Sequence, residues 1–289
     1  MILSFHPCFI GDRNIICAGR DPGPDERSAI KTADAVILPQ GCRRSLYEMA
    51  RDHCPHVFPN YEARFQYPGK LGDIALFKRE NLPHPDTWCY MRVRDLDPAE
   101  RESWRNRIEA TPFVFKHTWG GEGETVYLMR SGEEFDRIMD QAEKFERSGQ
   151  DGFLIQEYIP TDRSLRVVVI GGRLITYWRV SNASDGFCTS LAKGAVLDRL
   201  SDPDLKAEAS HYIRKFCQKA GINLAAFDAI FSSRDTENEP LFLEMNYFFG
   251  RRGLGGTEAY YALLKTEIVN WLDRLGLAVG SDSSAGLQL

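Results

Sequence analysis

The sequence has no apolar run that approaches the roughly 20 residues of a membrane-spanning helix. Its N-terminal stretch, MILSFHPCFI, also lacks the basic segment and the long apolar core of a secretion signal. Both absences argue against a membrane or secreted protein. We therefore expect a soluble, cytoplasmic protein with no membrane partner.

Paired cysteines are also absent. The seven cysteines are scattered along the chain and include no C-x-x-C pair, so we expect reduced thiols rather than disulfides. His6 with Cys8 and His53 with Cys54 are close in sequence, but their spacing fits no common zinc module. The cysteines therefore predict neither a disulfide framework nor a zinc site.

The composition lacks a basic excess. Thirty-six lysines and arginines stand against 41 acidic residues, which gives a net charge of −5. Binding to a phosphate backbone normally requires a basic face. We therefore expect no nucleic-acid partner, although a local basic cleft is compatible with this composition.

Periodic patterns predict an ordered chain of mixed structure. Short apolar runs alternate with turn-rich segments in the first seventy residues, which predicts a small open α/β unit. Beyond this unit, the pattern predicts strands from residue 111 onward and helices over residues 71–80, 133–147, 204–220 and 259–275. The length of 289 residues suits one large domain or two to three lobes.

A lysine ends one predicted strand and precedes a loop that contains three glycines. Lys116 follows the apolar residues 113–115, and Gly120, Gly121 and Gly123 lie just beyond it. Glycine lets the backbone approach a phosphate closely, and a lysine at the base of the loop supplies a compact positive charge. The pattern is compatible with nucleotide binding, but such hairpins also occur in purely structural settings.

Two later strand-like segments carry hard oxygen ligands. Glu244 and Asn246 are two residues apart and share one face of a strand, and Asp228 can join them if the two strands pair. Carboxylate and amide oxygens suit magnesium that also contacts nucleotide phosphates. The alternative is that Asp228 pairs with a nearby arginine and that Glu244 merely ends a strand.

The order of these parts resembles an ATP-grasp enzyme over most of residues 1–272, and in particular the RimK-type and glutathione-synthetase-type ligases. Lys70, followed by a helix and by the P-D-T segment at 85–87, is similar to the family's preceding lysine and P-x-T segment. The QEYI segment at 156–159 is similar to its adenine hinge, and residues 166–171 to its R-x-x-x-x-G strand.

The resemblance implies a fold of mixed α/β and α+β class, the ATP-grasp fold, in which two α+β lobes hold the nucleotide. It divides the chain into a pre-ATP-grasp α/β domain (1–70), a small lobe with a glycine-rich flap (71–152), a C-terminal lobe with the metal site (153–276) and a disordered tail (277–289).

The resemblance also assigns roles to single residues. Nucleotide contacts fall to Lys70, Lys116, Gly120, Gly121, Gly123, Gln156, Glu157, Tyr158, Ile159 and Asp162. The metal ligands are Asp228, Glu244 and Asn246. The resemblance makes Arg166 a catalytic residue, and we expect Lys193 and Arg251, which lie in segments that depart from the family pattern, to be catalytic as well.

Two segments depart from the RimK-type pattern. At 188–194, CTSLAKG, Lys193 replaces the basic member of a motif whose arginine and asparagine are missing. At 251–256, RRGLGG replaces a less basic run and forms either a carboxylate clamp, in which arginine binds a planar anion, or a solvated surface pair.

The function that the resemblance implies is a ligase that uses ATP and Mg²⁺, or Mn²⁺. It would activate a small-molecule or peptide carboxylate as an acyl-phosphate and join it to an amine, releasing ADP and phosphate. The alternatives are an ATP-grasp kinase that phosphorylates a small molecule and a nucleotide-binding protein without turnover. A homodimer would suit the resemblance.

Overall fold

The computed structural model describes residues 1–121, 123–182, 189, 191, 194–232 and 238–277. The predicted catalytic residue Lys193 and the predicted tail beyond Leu277 lie outside these residues. Within the described ranges the chain forms three β-sheets and eight α-helices. None of these described helices combines the length and the apolarity that a membrane crossing requires.

The first sheet is parallel and built from short strands. Its elements are β1 (Ile2–Ser4), β2 (Arg13–Asn14), α1 (Pro24–Lys31), β3 (Ala35–Ile37), α2 (Arg44–His53) and β4 (Val57–Phe58). The strand order is β2-β1-β3-β4, and each neighbouring pair is parallel. Strands β1 and β3 are fully buried because apolar residues of α1 and α2 pack against them. The prediction of a small open α/β unit is confirmed.

The second sheet is antiparallel and flanks the glycine-rich loop, so we call it the flap sheet. After the connecting helices α3 (Glu62–Gln66) and α4 (Gly69–Glu80) come its elements: β5 (Thr87–Tyr90), α5 (Pro98–Ala110), β6 (Phe113–His117), β7 (Val126–Met129), α6 (Gly132–Arg147) and β8 (Phe153–Glu157). The strand order is β5-β8-β6-β7. Large side chains of α5 and α6, including Trp104 and Phe135, pack with Phe115 and Phe153 of the sheet.

The third sheet is antiparallel and is the central sheet of the molecule. Its elements are β9 (Arg163–Ile170), β10 (Arg173–Val180), β11 (Val196–Asp198), α7 (Pro203–Ala220), β12 (Leu224–Phe231), β13 (Pro240–Asn246) and α8 (Thr257–Arg274), and the strand order is β11-β10-β9-β12-β13. Alternate residues of a strand point to opposite faces. Phe227 therefore packs with α4 and α7, whereas Ala226 packs with α8.

The strand pairing differs from the sequence division at one point. The predicted boundary between the two lobes falls after residue 152, just before β8. Strand β8 pairs with β5 and β6, so it belongs to the flap sheet. Its apolar residues Phe153 and Ile155 complete the core beneath that sheet.

Candidate functional site

A cleft lies between the glycine-rich loop after β6 and the end of β13. Its cavity has a volume of about 200 Å³. The residues that line it and that carry the chemistry are Lys70, Asp73, Gly120, Gly121, Glu244 and Asn246. Five of these six were predicted from the sequence, and three separate parts of the fold bring them together: the start of α4, the loop and β13.

Lys116 lies at the end of β6 with its side chain buried. Its Nζ donates a hydrogen bond of 2.7 Å to Oε1 of Gln156 on the neighbouring strand. The Gln156 amide in turn donates to the hydroxyl of Thr87 at 2.9 Å, which fixes the orientation of the amide. Burial lowers the pKa of Lys116 to about 8. Gln156 is only 1% exposed, so its side chain is a buried hydrogen-bond partner of Lys116.

Lys70 connects the first turn of α4 to the base of the loop. Its Nζ donates to the carbonyl of His117 at 2.8 Å and to that of Trp119 at 3.4 Å. Burial lowers the pKa of the Lys70 ammonium, and the carboxyls of Glu244 and Asp73 oppose that shift. Of the two predicted phosphate-binding lysines, Lys70 therefore lines the cleft, whereas Lys116 is buried at the base of the loop.

The loop closes back on itself over these lysines. The backbone N–H of His117 donates to the carbonyl of Thr125 at 3.0 Å, and the Thr125 hydroxyl donates to the carbonyl of Trp119 at 2.6 Å. Gly120 and Gly123 have φ values of +81° and +78°. Side-chain-bearing residues rarely adopt this region, so the tight turn requires glycine at both positions.

Replacement of Gly120 by alanine is expected to weaken ADP binding. The new Cβ would lie 2.5 Å from Cγ2 of Thr125, and the positive φ would be strained. A cost of about 1–2 kcal/mol corresponds to roughly a 5–30-fold loss of affinity, which calorimetry measures. Gly250→Ala is the matched control, because its Cβ meets no described atom within 4 Å and it does not line the cleft. Equal affinities for the two variants would contradict a positioned phosphate loop.

The three predicted metal ligands lie on neighbouring strands. Strands β12 and β13 pair with Asp228 directly opposite Glu244 and Ala226 opposite Asn246. The Asn246 amide donates to Oε1 of Glu244 at 3.0 Å, so the two side chains share one face. The strand pairing on which the sequence prediction depended is therefore present.

Asp228 differs from the other two because arginines occupy both of its oxygens. Arg166 donates to Oδ1 at 2.6 Å and to Oδ2 at 2.8 Å, and Arg179 lies 3.0 Å from Oδ1. Burial opposes ionisation of Asp228, but the two guanidiniums outweigh it and hold the carboxyl pKa well below its usual range. The sequence left open the alternative that Asp228 pairs with an arginine, and the structure shows two such partners, Arg166 and Arg179.

The family of the chain follows from its match to a known domain. The family model of the RimK-like ATP-grasp domain matches residues 73–270, which is more than half of the chain. The chain belongs to the RimK-like ATP-grasp family. The resemblance drawn from the sequence motifs is therefore confirmed.

Solved structures show the same ATP-grasp fold. D-cycloserine synthetase matches with a TM-score of 0.61 at 16% identity, covering 94% of this chain and 99% of that one. An ATP-grasp RimK-domain protein from Sphaerobacter thermophilus gives 0.60 at 13%, covering 92% and 98%. A D-alanine–D-alanine ligase from Bacillus anthracis complexed with ATP gives 0.60 at 14%, covering 87% and 83%. No curated protein sequence matches this chain. At these identities the structural likeness shows the fold alone.

The donor set of the ATP-grasp cleft fits a magnesium ion that phosphate helps to hold. Glu244 and Asn246 offer hard oxygen atoms on one face, and magnesium in nucleotide sites commonly takes one or two carboxylates together with phosphate oxygens. Among the described residues, no group of three histidine, cysteine, aspartate or glutamate side chains could hold a metal by itself. Asp228 stays a predicted ligand whose oxygens would have to leave Arg166.

The predicted adenine hinge lies where the flap sheet joins the central sheet. Glu157 ends β8, and its backbone N–H donates to the carbonyl of Asp86 at 2.8 Å. Tyr158 and Ile159 follow it and are half-buried. Asp162 is exposed just before β9, and its carbonyl accepts from the backbone N–H of Ser181. Adenine and ribose contacts at these residues stay predictions of the ATP-grasp resemblance.

Arg251 lies beyond β13, against the N-terminal sheet. Its guanidinium stacks on the rings of Tyr260 and Tyr261 at 4.9 and 4.5 Å. In the described part of the chain it forms no ion pair. Burial, with Arg251 and Lys265 nearby, lowers the pKa of His6 to about 4, so the imidazole is neutral near pH 7. Arg251 is not among the residues that line the cleft, so its catalytic role stays a prediction.

Two residues of the site were missed in the sequence. Arg179 lies on β10 two positions from Tyr177, which pairs with Arg166, so strand alternation puts Arg179 on the same face. Asp73 lies three residues after Lys70 on α4, a spacing that puts both on one helix face. Periodicity applied to charged residues, and not only to apolar ones, would have found both.

Nucleotide affinity is expected to fall as pH rises through about 8. Phosphate binding favours the ammonium form of Lys116, whose pKa in the free protein is about 8, so above that pH binding must take up a proton. The limit is about tenfold per pH unit. Calorimetry of ADP binding in two buffers of different ionisation enthalpy measures that uptake. Lys116→Met should bind weakly and lose most of the dependence, whereas the exposed control Lys31→Met should retain it. A flat profile in the unmodified chain would remove Lys116 from the phosphate site.

Proposed function

We propose that this chain is an ATP-dependent carboxylate–amine ligase that requires Mg²⁺ or Mn²⁺. The observation that carries the proposal is the cleft itself, which Lys70 lines together with the glycine loop, Glu244 and Asn246, while Lys116 lies buried at the base of that loop. Cations for phosphates and oxygen donors for a metal are the parts that phosphoryl transfer requires. The family match supports the same class of reaction.

The proposed reaction has two steps. A carboxylate oxygen of the first substrate attacks the γ-phosphorus of ATP, the bond from that phosphorus to the bridging oxygen breaks, and ADP leaves. The resulting acyl-phosphate is attacked by an amine, the C–N bond forms, and inorganic phosphate leaves. The first step converts a carboxylate oxygen, which is a poor leaving group, into phosphate, which leaves readily in the second step; this activation is why ATP is needed.

The chain's own residues position and screen these groups. Lys70 and Lys116 offset the negative charge of the phosphates, and the loop of Gly120 to Gly123 covers them and excludes water that would hydrolyse the acyl-phosphate. Glu244 and Asn246 would hold the metal ion, which supplies further positive charge at the phosphate oxygens. Arg166 keeps Asp228 ionised beside Glu244, and Arg251 is the proposed contact for a substrate carboxylate.

The structural neighbours suggest two classes of substrate to test. The structural neighbours include a D-alanyl-alanine synthetase from Vibrio cholerae and a macrocyclase from Microcystis aeruginosa bound with its precursor peptide. Both small amino acids and peptides are therefore reasonable substrates to test for this chain.

The experiment is ADP release from ATP and Mg²⁺ in pools of carboxylic acids, amino acids and short peptides, with new amides read by mass spectrometry. We expect ADP, phosphate and one amide in equal amounts, and only when a carboxylate and an amine are both present. A phosphorylated product without amide would favour a kinase. Tight ADP binding without turnover in any pool would favour a nucleotide-binding protein without catalysis.

A further inference from the structure

A second, larger cavity adjoins the phosphate cleft. Its volume is about 420 Å³, within the roughly 300–1,000 Å³ range of small-molecule sites. It shares four lining residues with the cleft, namely Gly69, Asp73, Met245 and Asn246. A molecule in this cavity therefore reaches the same edge of β13 at which the phosphates are expected. We call this cavity the side pocket.

Four of the ten residues that line the side pocket are aromatic. They are Phe65, Tyr67, Tyr247 and Phe248. Phe248 is 72% exposed, so its ring is accessible to a ligand. Rings of this kind offer a bound apolar or aromatic group both contact area and defined stacking geometry. The wall therefore favours a ligand with a large apolar part.

One arginine provides the positive charge of the side pocket. The guanidinium of Arg64 stacks on Tyr61 and Phe65 at 5.0 and 4.9 Å and donates one hydrogen bond of 3.1 Å to the carbonyl of Cys42. Among the described residues no carboxylate pairs with it. Because the rings hold the guanidinium plane and most of its N–H groups remain available, Arg64 is prepared to bind a planar anion such as a carboxylate.

The edge that the side pocket shares with the phosphate cleft carries hydrogen-bond acceptors instead of a positive charge. Asp73 and Asn246 line both cavities, whereas Arg64 lines the side pocket alone. The Asp73 carboxyl accepts a hydrogen bond from the backbone N–H of Met245, which leaves its other oxygen for a further donor. Carboxyl and amide oxygens can accept hydrogen bonds from an amine. The hydroxyl of Tyr247 is also buried here with no partner in the described structure.

We propose that the side pocket binds the amine substrate of the ligase, an α-amino acid with an aromatic or large apolar side chain. Its carboxylate would pair with Arg64, its side chain would pack against Tyr67 and Phe248, and its amine would lie at Asp73 beside the phosphate cleft. This inference rests on the proposed ligase function, because it names the acceptor of that reaction.

The chemistry balances with this placement. The ammonium first loses one proton to solvent, and the nitrogen lone pair then attacks the acyl carbon of the acyl-phosphate. The C–N bond forms, the bond from the acyl carbon to the phosphate oxygen breaks, and the second proton leaves with hydrogen phosphate. The acceptor's carboxylate, held at Arg64, takes no part in bond making.

The test is calorimetry on the full chain with ADP and Mg²⁺ present, using both enantiomers of phenylalanine as probes. We expect one enantiomer to bind, alanine to bind at least about tenfold more weakly, and phenethylamine, which lacks the carboxylate, to lose at least about tenfold as well. Arg64→Gln should bring phenylalanine down to the level of phenethylamine. Arg27→Gln is the matched control, because Arg27 is an exposed arginine on α1 with no side-chain partner among the described residues.

A second variant protects the test against misfolding of the first. Phe248→Ser changes an exposed ring, so the fold should tolerate it, and it should reduce the preference for phenylalanine over alanine. Equal binding of phenylalanine by Arg64→Gln and the unmodified chain, or no binding of either enantiomer, would overturn the proposal. Amide formation in the substrate pools without phenylalanine binding would support the ligase function and contradict the proposed role of the side pocket. Phenylalanine binding without ADP release in any pool would instead contradict the ligase function.

Discussion

Glu244→Gln is expected to lower the rate of ADP release with ATP and Mg²⁺ by at least roughly 100-fold, the upper end of what even outer-shell metal substitutions cost. Glu244 lines the cleft, and its carboxylate oxygen accepts from Asn246 on the same strand face. The amide keeps the shape of the side chain but removes the negative charge that a divalent cation requires. Stability should change little, because the side chain is only half-buried and lies in no ion pair among the described residues.

The measurement is a titration of the ADP-release rate against Mg²⁺ concentration. The variant should require more Mg²⁺ and should reach a lower maximum, whereas its melting temperature should match that of the unmodified chain. Glu258→Gln, an exposed glutamate in the first turn of α8, is the control and should behave like the unmodified chain. An unchanged Mg²⁺ requirement in Glu244→Gln would contradict the assignment of Glu244 as a metal ligand.

The sequence predicted the strands of the central sheet and the loop better than the flap sheet as a whole. The hairpin of β9 and β10 turns at Gly171 and Gly172 as the glycine pair indicates, because Ile170 pairs with Arg173. Strand β5 and helix α5 were not predicted. Strand β5 has only four residues, and its partner β8 lies more than sixty residues later, so no local pattern marks it. Helix α5 did carry a start signal, Asp97 as N-cap before Pro98.

Some residues of the candidate site could likewise be predicted from the sequence, and others could not. Lys70, Lys116, Glu244 and Asn246 could be placed from motif order, because each lies at the end or start of an element that the sequence marks. The inward position of the Gln156 side chain could not, since it depends on the hydrogen bond from Lys116 across two strands. Register, which decides such pairs, is a property of the folded sheet.

The two acidic residues that the sequence treated alike have different roles in the fold. Asp228 has a side chain that is 4% exposed and that both Arg166 and Arg179 contact. We therefore expect Asp228→Asn to lower the free energy of unfolding by about 3–5 kcal/mol, because it leaves two buried guanidiniums without a counter-charge. Denaturant unfolding measures the loss, and Glu244→Gln serves as the matched amide substitution one strand away. Equal stability of the two variants would contradict a structural role for Asp228.

The pH dependence of unfolding gives Asp228 a second, independent test. Its carboxyl has a depressed pKa in the folded chain, so the stabilisation is fully present above the unfolded carboxyl pKa of about 4 and is lost as pH falls below that value. The free energy of unfolding of Asp228→Asn should therefore be lower than that of the unmodified chain near pH 7, and the difference between the two should decrease at acid pH. This behaviour would identify Asp228 as the fixed counter-ion of Arg166 and Arg179, and would leave Glu244 and Asn246 as the side chains free to hold the metal. A gap of constant size from neutral to acid pH would show that the ion pair is not the source of the loss.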